Sequence, residues 1–177
     1  MAITLDNSAQ KFYGKYRGTV INNVDPMKMG RIMAVVPDVS NILPTSWAMP
    51  CLPVAGIQAG MFTVPPIGSG VWMEFEQGDP DKPIWVGGFY SSADVPVLAQ
   101  AVQPPLMGIT LQTMTQQMIQ VSDLPPTPVT GGIVLKSATG AMIVVNDSGI
   151  YIQNGKGASI FMVGPTVTIN NGALVVI

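Results

Sequence analysis

The sequence predicts an all-β protein, and three observations support this fold class. In residues 131–177 apolar residues occupy alternate positions, which is typical of β-strands. Glycines interrupt this stretch at positions 140, 149, 157, 164 and 172, so a strand-length run recurs about every eight residues. Residues 13–91 hold about five further short runs, separated by turn residues. We therefore expect a small barrel followed by a narrow β-structured rod.

The composition restricts the partners of the chain. Only 10% of its 177 residues are charged, and the formal net charge is −2. Binding nucleic acid through its phosphates needs a basic face, so we expect no nucleic-acid partner. Because 47% of the residues are hydrophobic, we expect much of the surface to be buried against other chains. The first residues lack a signal-peptide core and no apolar run approaches the ~20 residues that span a bilayer, so we expect assembly in a cytoplasm.

Residues 1–12 are polar and are expected to form an N-terminal arm, and the barrel is expected over residues 13–91. In its clearest strand, Val71, Met73 and Phe75 share one face. Turn residues such as Asp-Pro and Gly separate the runs. The single cysteine, Cys51, is expected to be a small buried residue. The expected extended pieces are residues 15–22, 31–37, 51–54, 61–65, 71–76 and 84–87.

Residues 92–130 are expected to connect the barrel to the rod, because they hold six prolines. The period of the run LQTMTQQMIQ is ambiguous. A helical period through Leu111, Met114 and Met118 competes with strand alternation at Ile109 and Leu111. We favour extended structure here.

Residues 131–177 are expected to form the rod itself. Only Lys136, Asp147 and Lys156 are charged in this stretch, and no helical period fits it. Glycine allows bends between strands without a steric penalty. A repeat structure this narrow cannot bury its apolar face within one chain, so it needs partner chains.

The residues present argue against an enzyme. Histidine is absent and Cys51 stands alone, which excludes Ser–His or Cys–His catalysis and a His/Cys zinc site. Glu74 and Glu76 are two positions apart, and a glycosidase needs two carboxylates about 5–9.5 Å from each other. A solvated strand face is the simpler interpretation of this pair. We expect no catalytic activity, no cofactor and no metal.

Three segments carry a resemblance to a known family. They are DPMKMGRIMAVVP from Asp25, SWAMPCLPVAG from Ser46 and PPIGSGVWMEFEQGDPDKPIWVGGFY from Pro65. Together they resemble the OB-fold domain of the central spike proteins of contractile injection machines, the phage baseplate assembly protein V and VgrG families. The matching motif residues, to which we assign structural roles, are Gly30, Arg31, Gly68, Trp72, Phe75, Gly78, Asp79, Pro80, Trp85 and Gly87. For Arg31 an ion pair with Asp25, a contact with another chain and a solvated position all stay open.

The resemblance implies an OB-fold barrel over residues 13–91 and an intertwined, triple-stranded β-helix over residues 131–177, formed by a homotrimer. In that arrangement alternate apolar residues of the rod face a shared axis. The expected axial core consists of Ile133, Leu135, Ile143, Val145, Ile150, Ile152, Ile160, Val167 and Ile169.

The resemblance also implies a function and partners. We expect a rigid, membrane-puncturing spike at the distal end of the inner tube of a phage tail or phage-tail-like particle, docked on a baseplate hub or inner tube protein. The target membrane would be a transient partner. Some relatives bind iron at the tip through an H-x-H motif, which this chain lacks.

The chain finishes on apolar residues, which predicts a docking platform for a separate PAAR-like tip protein. The expected docking residues are Leu174, Val175, Val176 and Ile177. The other interpretation is that these residues finish the axial core. A ligand-binding OB-fold, for an oligosaccharide or nucleic acid, with a trimerising tail is the alternative to the whole spike hypothesis.

Overall fold

The computed structural model describes residues 10–176, which belong to two compact units divided between Ala93 and Asp94. Of the arm expected over residues 1–12, only residues 10–12 lie within the described range. The backbone N–H of Phe12 donates to the carbonyl oxygen of Gly78 at 2.9 Å, and its ring centroid lies 6.1 Å from that of Phe75. This end of the arm therefore packs on the first unit.

The first unit is built on one mixed sheet. Its strands are β1 (Tyr16–Asn22), β2 (Met33–Val35), β3 (Met49–Pro50), β4 (Ala55–Gly56), β5 (Ala59–Gly60), β6 (Gly70–Phe75) and β7 (Pro83–Phe89). Five of them form a sheet in the order β2-β1-β6-β7-β3, and β4 and β5 form a separate two-stranded hairpin. Neighbouring strands are antiparallel except β3, which runs parallel to β7. A short helix, α1 (Pro37–Ser40), follows β2.

Strict alternation places the core of the first unit. In β6 every second residue is buried. On β7 the indole N–H of Trp85 donates to the Gly30 carbonyl oxygen at 3.0 Å, so the largest core side chain is also hydrogen-bonded. Cys51, expected to be buried, is exposed, because it follows the edge strand β3 and only its backbone N–H turns inward, to the carbonyl of Trp85. The buried cluster is Val20, Ile32, Ala34, Val36, Ala48, Val71, Met73 and Trp85.

Asp25 organises the loop between β1 and β2. Its carboxylate accepts hydrogen bonds from the backbone N–H groups of Met27, Met29 and Arg31. The Arg31 guanidinium adds two more, at 3.0 and 2.6 Å. Of the three alternatives for Arg31, the structure shows the ion pair with Asp25. The Arg31 guanidinium also lies over the Trp47 ring, 5.5 Å from the ring centroid.

The second unit is an antiparallel meander. Its strands are β8 (Gly108–Gln112), β9 (Met118–Thr127), β10 (Thr130–Lys136), β11 (Met142–Asn146), β12 (Gly149–Gln153), β13 (Ser159–Val163), β14 (Thr166–Ile169) and β15 (Leu174–Val176). They form one eight-stranded sheet in chain order. A short helix, α2 (Val97–Gln100), precedes β8. The glycines that punctuate the sequence fall in or beside the hairpin turns, where several have positive φ angles.

One face of this sheet is largely covered within the chain. Val134 and Val144 are fully buried, and Tyr151 packs edge-on against Phe161 with ring centroids 5.3 Å apart. Leu98 of α2 packs against the same cluster. The second unit thus has its own small core on this face.

The connector expected over residues 92–130 requires a correction, because the sheet already begins at Gly108. Residues 108–127 form β8 and β9, joined by a turn at Thr113–Gln117. Pro125 and Pro126 lie where the pairing of β9 with β10 shifts register, and a strand tolerates proline at such an irregularity. Pro125 and Pro126 therefore mark the β9–β10 hairpin, whereas Pro96, Pro104 and Pro105 lie before β8, in the segment that follows β7.

Candidate trimerisation surface

The face of the second unit opposite the covered core carries two apolar rows that cross all eight strands. Cross-strand register aligns one residue from each strand into each row. Row one is Ile109, Val121, Ile133, Val145, Ile150, Met162, Val167 and Val176. Row two is Leu111, Ile119, Leu135, Ile143, Ile152, Ile160, Ile169 and Leu174. On every strand the two members are two residues apart, so their side chains share one face.

These rows are exposed to solvent in the single chain. Their exposed members retain between 37% and 68% of their accessible surface, and Met162, Val167 and Ile169 are half-buried. No position in either row is polar or charged. A continuous apolar surface of this extent is rare on a monomer and marks an interaction site.

Hydrogen bonding in this sheet is complete within one chain except at its ends. Strands β9 to β14 each pair on both edges with their neighbours in sequence. In the described residues, the free edges of the sheet belong to β8 and β15. Other chains can therefore reach this unit through its apolar face or through those two edges.

All nine residues expected to form an axial core lie in the two rows. Sequence reasoning left β8 and β9 out of the expected axial core, because it treats residues 92–130 as a connector. It uses the alternation of Ile109 with Leu111 to favour extended structure, and the same alternation at Ile119 and Val121 is the further signal that could have added both strands to the rows.

Of the four residues expected to dock a tip protein, the structure describes the side chains of two. Leu174 and Val176 continue the two rows, opposite Ile169 and Val167, and both are exposed. The side chain of Val175 and the whole of Ile177 lie outside the described part of the chain. Leu174 and Val176 therefore extend both rows onto β15, whose outer edge is unpaired among the described residues.

The structure spreads the OB motif residues over the first unit rather than bringing them together in one site. Trp72 lies on the outer face of the sheet, 5.1 Å from Phe89, and opposite Gly87 in register. Gly68 donates its N–H to the Val20 carbonyl at 2.8 Å, and the Asp79 carboxylate accepts from the N–H of Asp81 at 3.1 Å. These are contacts within turns and between strands.

The carboxylate pair considered as a hydrolytic dyad is not arranged as one. Glu74 forms an ion pair with Lys15, and Glu76 begins a 3₁₀ turn after the strand has ended. Among residues 10–176 no group of three or more Asp, Glu, Cys or His side chains could hold a metal ion. The helices in that range include none that is long and apolar enough to cross a membrane.

One carboxylate has a strongly perturbed pKa. The hydrogen bonds from the Arg31 guanidinium hold the pKa of Asp25 well below its ordinary value, and three backbone N–H donors add to this effect against the desolvation that burial brings. The same pairing raises the pKa of Arg31. The Asp25 side chain is only 3% exposed, so we interpret this pair as the anchor of its loop rather than as a reactive group.

Two protein-family models match the chain, each over one of the two units. The model of the type VI secretion system/phage-baseplate injector OB domain matches residues 16–90, and that of the phage baseplate V C-terminal trimerisation domain matches residues 108–175. Together the two matches cover most of the chain and support a spike protein of the phage baseplate V or VgrG type. No curated protein matches the chain closely enough to add to this assignment.

The two matches assign a domain type to each unit. The first is an OB domain and the second is a trimerisation domain, so the all-β, spike-like fold expected from the sequence is confirmed. Self-association and a structural role in a phage or type VI baseplate follow from the same matches. The apolar rows are the candidate surface for this association.

Proposed function

We propose that this chain forms the central spike at the distal end of the inner tube of a contractile injection machine. Three copies make a rigid needle that pierces the target envelope and carries a PAAR-like tip protein. The spike has no catalytic activity of its own. Assembly takes place in the bacterial cytoplasm, and the OB end docks on a baseplate hub or inner tube protein.

The main support for this proposal is the pair of exposed apolar rows on the trimerisation domain. Burying the exposed part of each aliphatic side chain contributes about 1 kcal/mol, since full burial contributes about 1.5–3 kcal/mol. Repeated over both rows and three chains, this offsets the entropy lost on association. The rows lie on one continuous series of strands, so three sheets that turn them towards a common axis form a three-sided, triple-stranded β-helix.

Stiffness follows from the same arrangement. The backbone hydrogen bonds of each sheet are made within its own chain, and a dry, close-packed axial core resists bending. The protein supplies no force, because the contracting sheath does this; it only has to remain folded under load. At the far end, three copies of β15 present free strand edges, on which the tip protein sits.

A matched pair of substitutions on β13 tests the axial core. Ile160 and Val163 are similarly exposed in the single chain, at 39% and 46%, but lie on opposite faces of the sheet. A carboxylate buried in the trimer core costs several kcal/mol, whereas one on the outer face stays in water. We expect Ile160→Asp to lower the mass measured by light scattering from trimer to monomer, with the strand content of its circular dichroism spectrum retained.

Val163→Asp is the control and should remain a trimer. A wild-type chain that is monomeric, or an Ile160→Asp variant that remains trimeric, would contradict the spike. Dissociation of both variants would show that a carboxylate on either face of β13 disrupts the trimer, which would contradict the assignment of the row face as the trimer interface.

One observation favours the alternative of a ligand-binding OB domain. The Arg17 guanidinium lies 5.3 Å from the ring centroids of both Trp72 and Phe89, on the outer face of the sheet. OB domains bind sugars and single-stranded nucleic acids on such aromatic, basic faces. Titration with an oligosaccharide and with a single-stranded oligonucleotide should give no saturable binding if the spike is correct. Binding that Trp72→Ala abolishes would support the alternative.

A further inference from the structure

The OB domain has an exposed apolar surface of its own. It is formed by the loop Asn23–Gly30 and the segment Val54–Pro65, which includes the β4–β5 hairpin, and we call it the loop surface. The Asn23 side chain donates to the Pro65 carbonyl oxygen at 3.0 Å, and a Cβ on Gly30 would lie 3.2 Å from the Phe62 ring. These contacts make the two segments one continuous surface.

The apolar side chains of the loop surface are turned outwards. Ile57, at the turn of the hairpin, is 97% exposed, which is extreme for an aliphatic side chain of this size. The hairpin has only two strands and adds no buried residue to the barrel core. The exposed large apolar members of the surface are Val24, Met27, Met29, Val54, Ile57, Met61 and Phe62.

Charge is almost absent from the loop surface. No charged residue occurs between Val39 and Met73, and in the loop segment Asp25 is already engaged by Arg31. Only Lys28 is both charged and exposed in this surface. Depletion of charge together with exposed Met, Phe and Ile side chains is typical of a permanent interface rather than a transient one.

We propose that the loop surface packs against the OB domain of a neighbouring chain within the trimer. This rests on the trimeric spike proposed above. Residues 90–96 tether β7 of each OB domain to α2 of its trimerisation domain, so three OB domains share one assembly. Tethers of this length give effective concentrations near the millimolar range, at which a modest apolar contact is occupied. The neighbouring copy is the partner available from the moment the chain assembles.

Photocrosslinking in the full-length chain tests this contact. A benzoylphenylalanine replaces Ile57 at the hairpin turn, and in a control protein it replaces Lys82, which is exposed in the charged turn before β7 and lies outside the loop surface. After irradiation of the purified trimer, we expect covalent dimers of this chain from position 57 and few from position 82.

Equal crosslinking at the two positions would overturn the inference, as would crosslinks from position 57 that appear only in assembled particles and only to another protein. A monomeric mass for the untreated chain would instead contradict the trimeric spike itself, so the two failures are distinguishable.

A substitution supports the same test. Because Ile57 makes almost no contact within its own chain, the full-length Ile57→Asp variant should fold with the strand content of the wild type. In the trimer we expect it to lower the melting midpoint of the OB domain by roughly 4–8 °C, about 1 kcal/mol for a domain of this size, with trimer mass unchanged. An unchanged midpoint would contradict the contact.

Discussion

At the scale of single residues, Asp25 shows how one buried carboxylate can hold a loop that has no regular structure. Three backbone N–H groups and one guanidinium converge on it, and they fix the chain between β1 and β2. The neighbouring Gly30 has a φ of +79° and offers its carbonyl oxygen to Trp85, so the loop is also tied to the core.

The ion pair predicts a pH dependence of stability. The pKa of Asp25 is depressed in the folded chain, so its stabilising contribution is complete above the unfolded pKa of about 4 and is lost as pH falls below it. We expect Asp25→Asn to lower the melting temperature at neutral pH and to flatten the fall in stability between about pH 4 and pH 2. Calorimetry across that range measures both.

The matched control for Asp25→Asn is Asp81→Asn, an exposed carboxylate in the same unit. It should leave the melting temperature and its pH dependence as in the wild type. Parallel pH profiles for the wild type and Asp25→Asn would contradict the role given to Asp25.

Sequence reasoning at this scale succeeds where periodicity is strict and fails where contacts are distant. Alternation predicts that Val71, Met73 and Phe75 share a buried face, and they do. Nothing in the local pattern tells that Trp85 is buried while Trp72 lies on the outer face, because that depends on which face of each strand meets the core.

At the scale of elements, α2 is fastened to the sheet by a single buried amide. Gln120 on β9 is 2% exposed, and its side-chain nitrogen donates to the Leu98 carbonyl at 3.1 Å and to the Thr110 hydroxyl at 3.0 Å. Leu98 in turn packs on the core of the trimerisation domain. A helix of four residues has little stability without such contacts.

We expect Gln120→Ala to destabilise the second unit by about 1–3 kcal/mol, because buried hydrogen-bonding groups lose their partners. Amide hydrogen exchange in residues 97–103 should become markedly faster. Gln112→Ala, an exposed amide on the adjacent strand, serves as the control and should change neither quantity. Unchanged exchange in Gln120→Ala would mean that α2 is held by Leu98 alone.

The β8–β9 hairpin is the element whose place in the fold sequence reasoning misjudged. Extended structure is favoured there from the sequence, but the prolines and the mixed Gln/Met composition assign the segment to a connector instead of to the sheet of the following repeats. Register explains the difficulty, since the equivalence of Ile109 with Val121 and Ile133 appears only after the strands are paired. The later strands were easier to predict because a glycine marks each turn.

At the scale of the whole molecule, we expect the proposed tip protein to be retained at the free edge of β15, the last strand of the sheet. Deletion of residues 174–177 removes β15 and leaves seven strands of both rows in place. We expect the truncated chain to remain a trimer, because most of the apolar face is kept. It should no longer co-purify with its tip protein, since the platform has been removed.

Light scattering and co-purification from the assembled particle measure the two outcomes separately. Unchanged retention of the tip protein would contradict the docking platform while leaving the trimer intact. Loss of the trimer itself would mean that Leu174 and Val176 contribute more to association than their place at the end of the rows suggests.

The uniformity of the two rows has a consequence for how such proteins can vary in length. Each hairpin presents the same four apolar positions, so one further hairpin extends the sheet by about 10 Å, twice the spacing between strands, and needs no new side-chain chemistry. Duplication or loss of a single repeat therefore lengthens or shortens the domain in fixed steps. The number of hairpins encoded in the gene thus determines the length of the trimerisation domain.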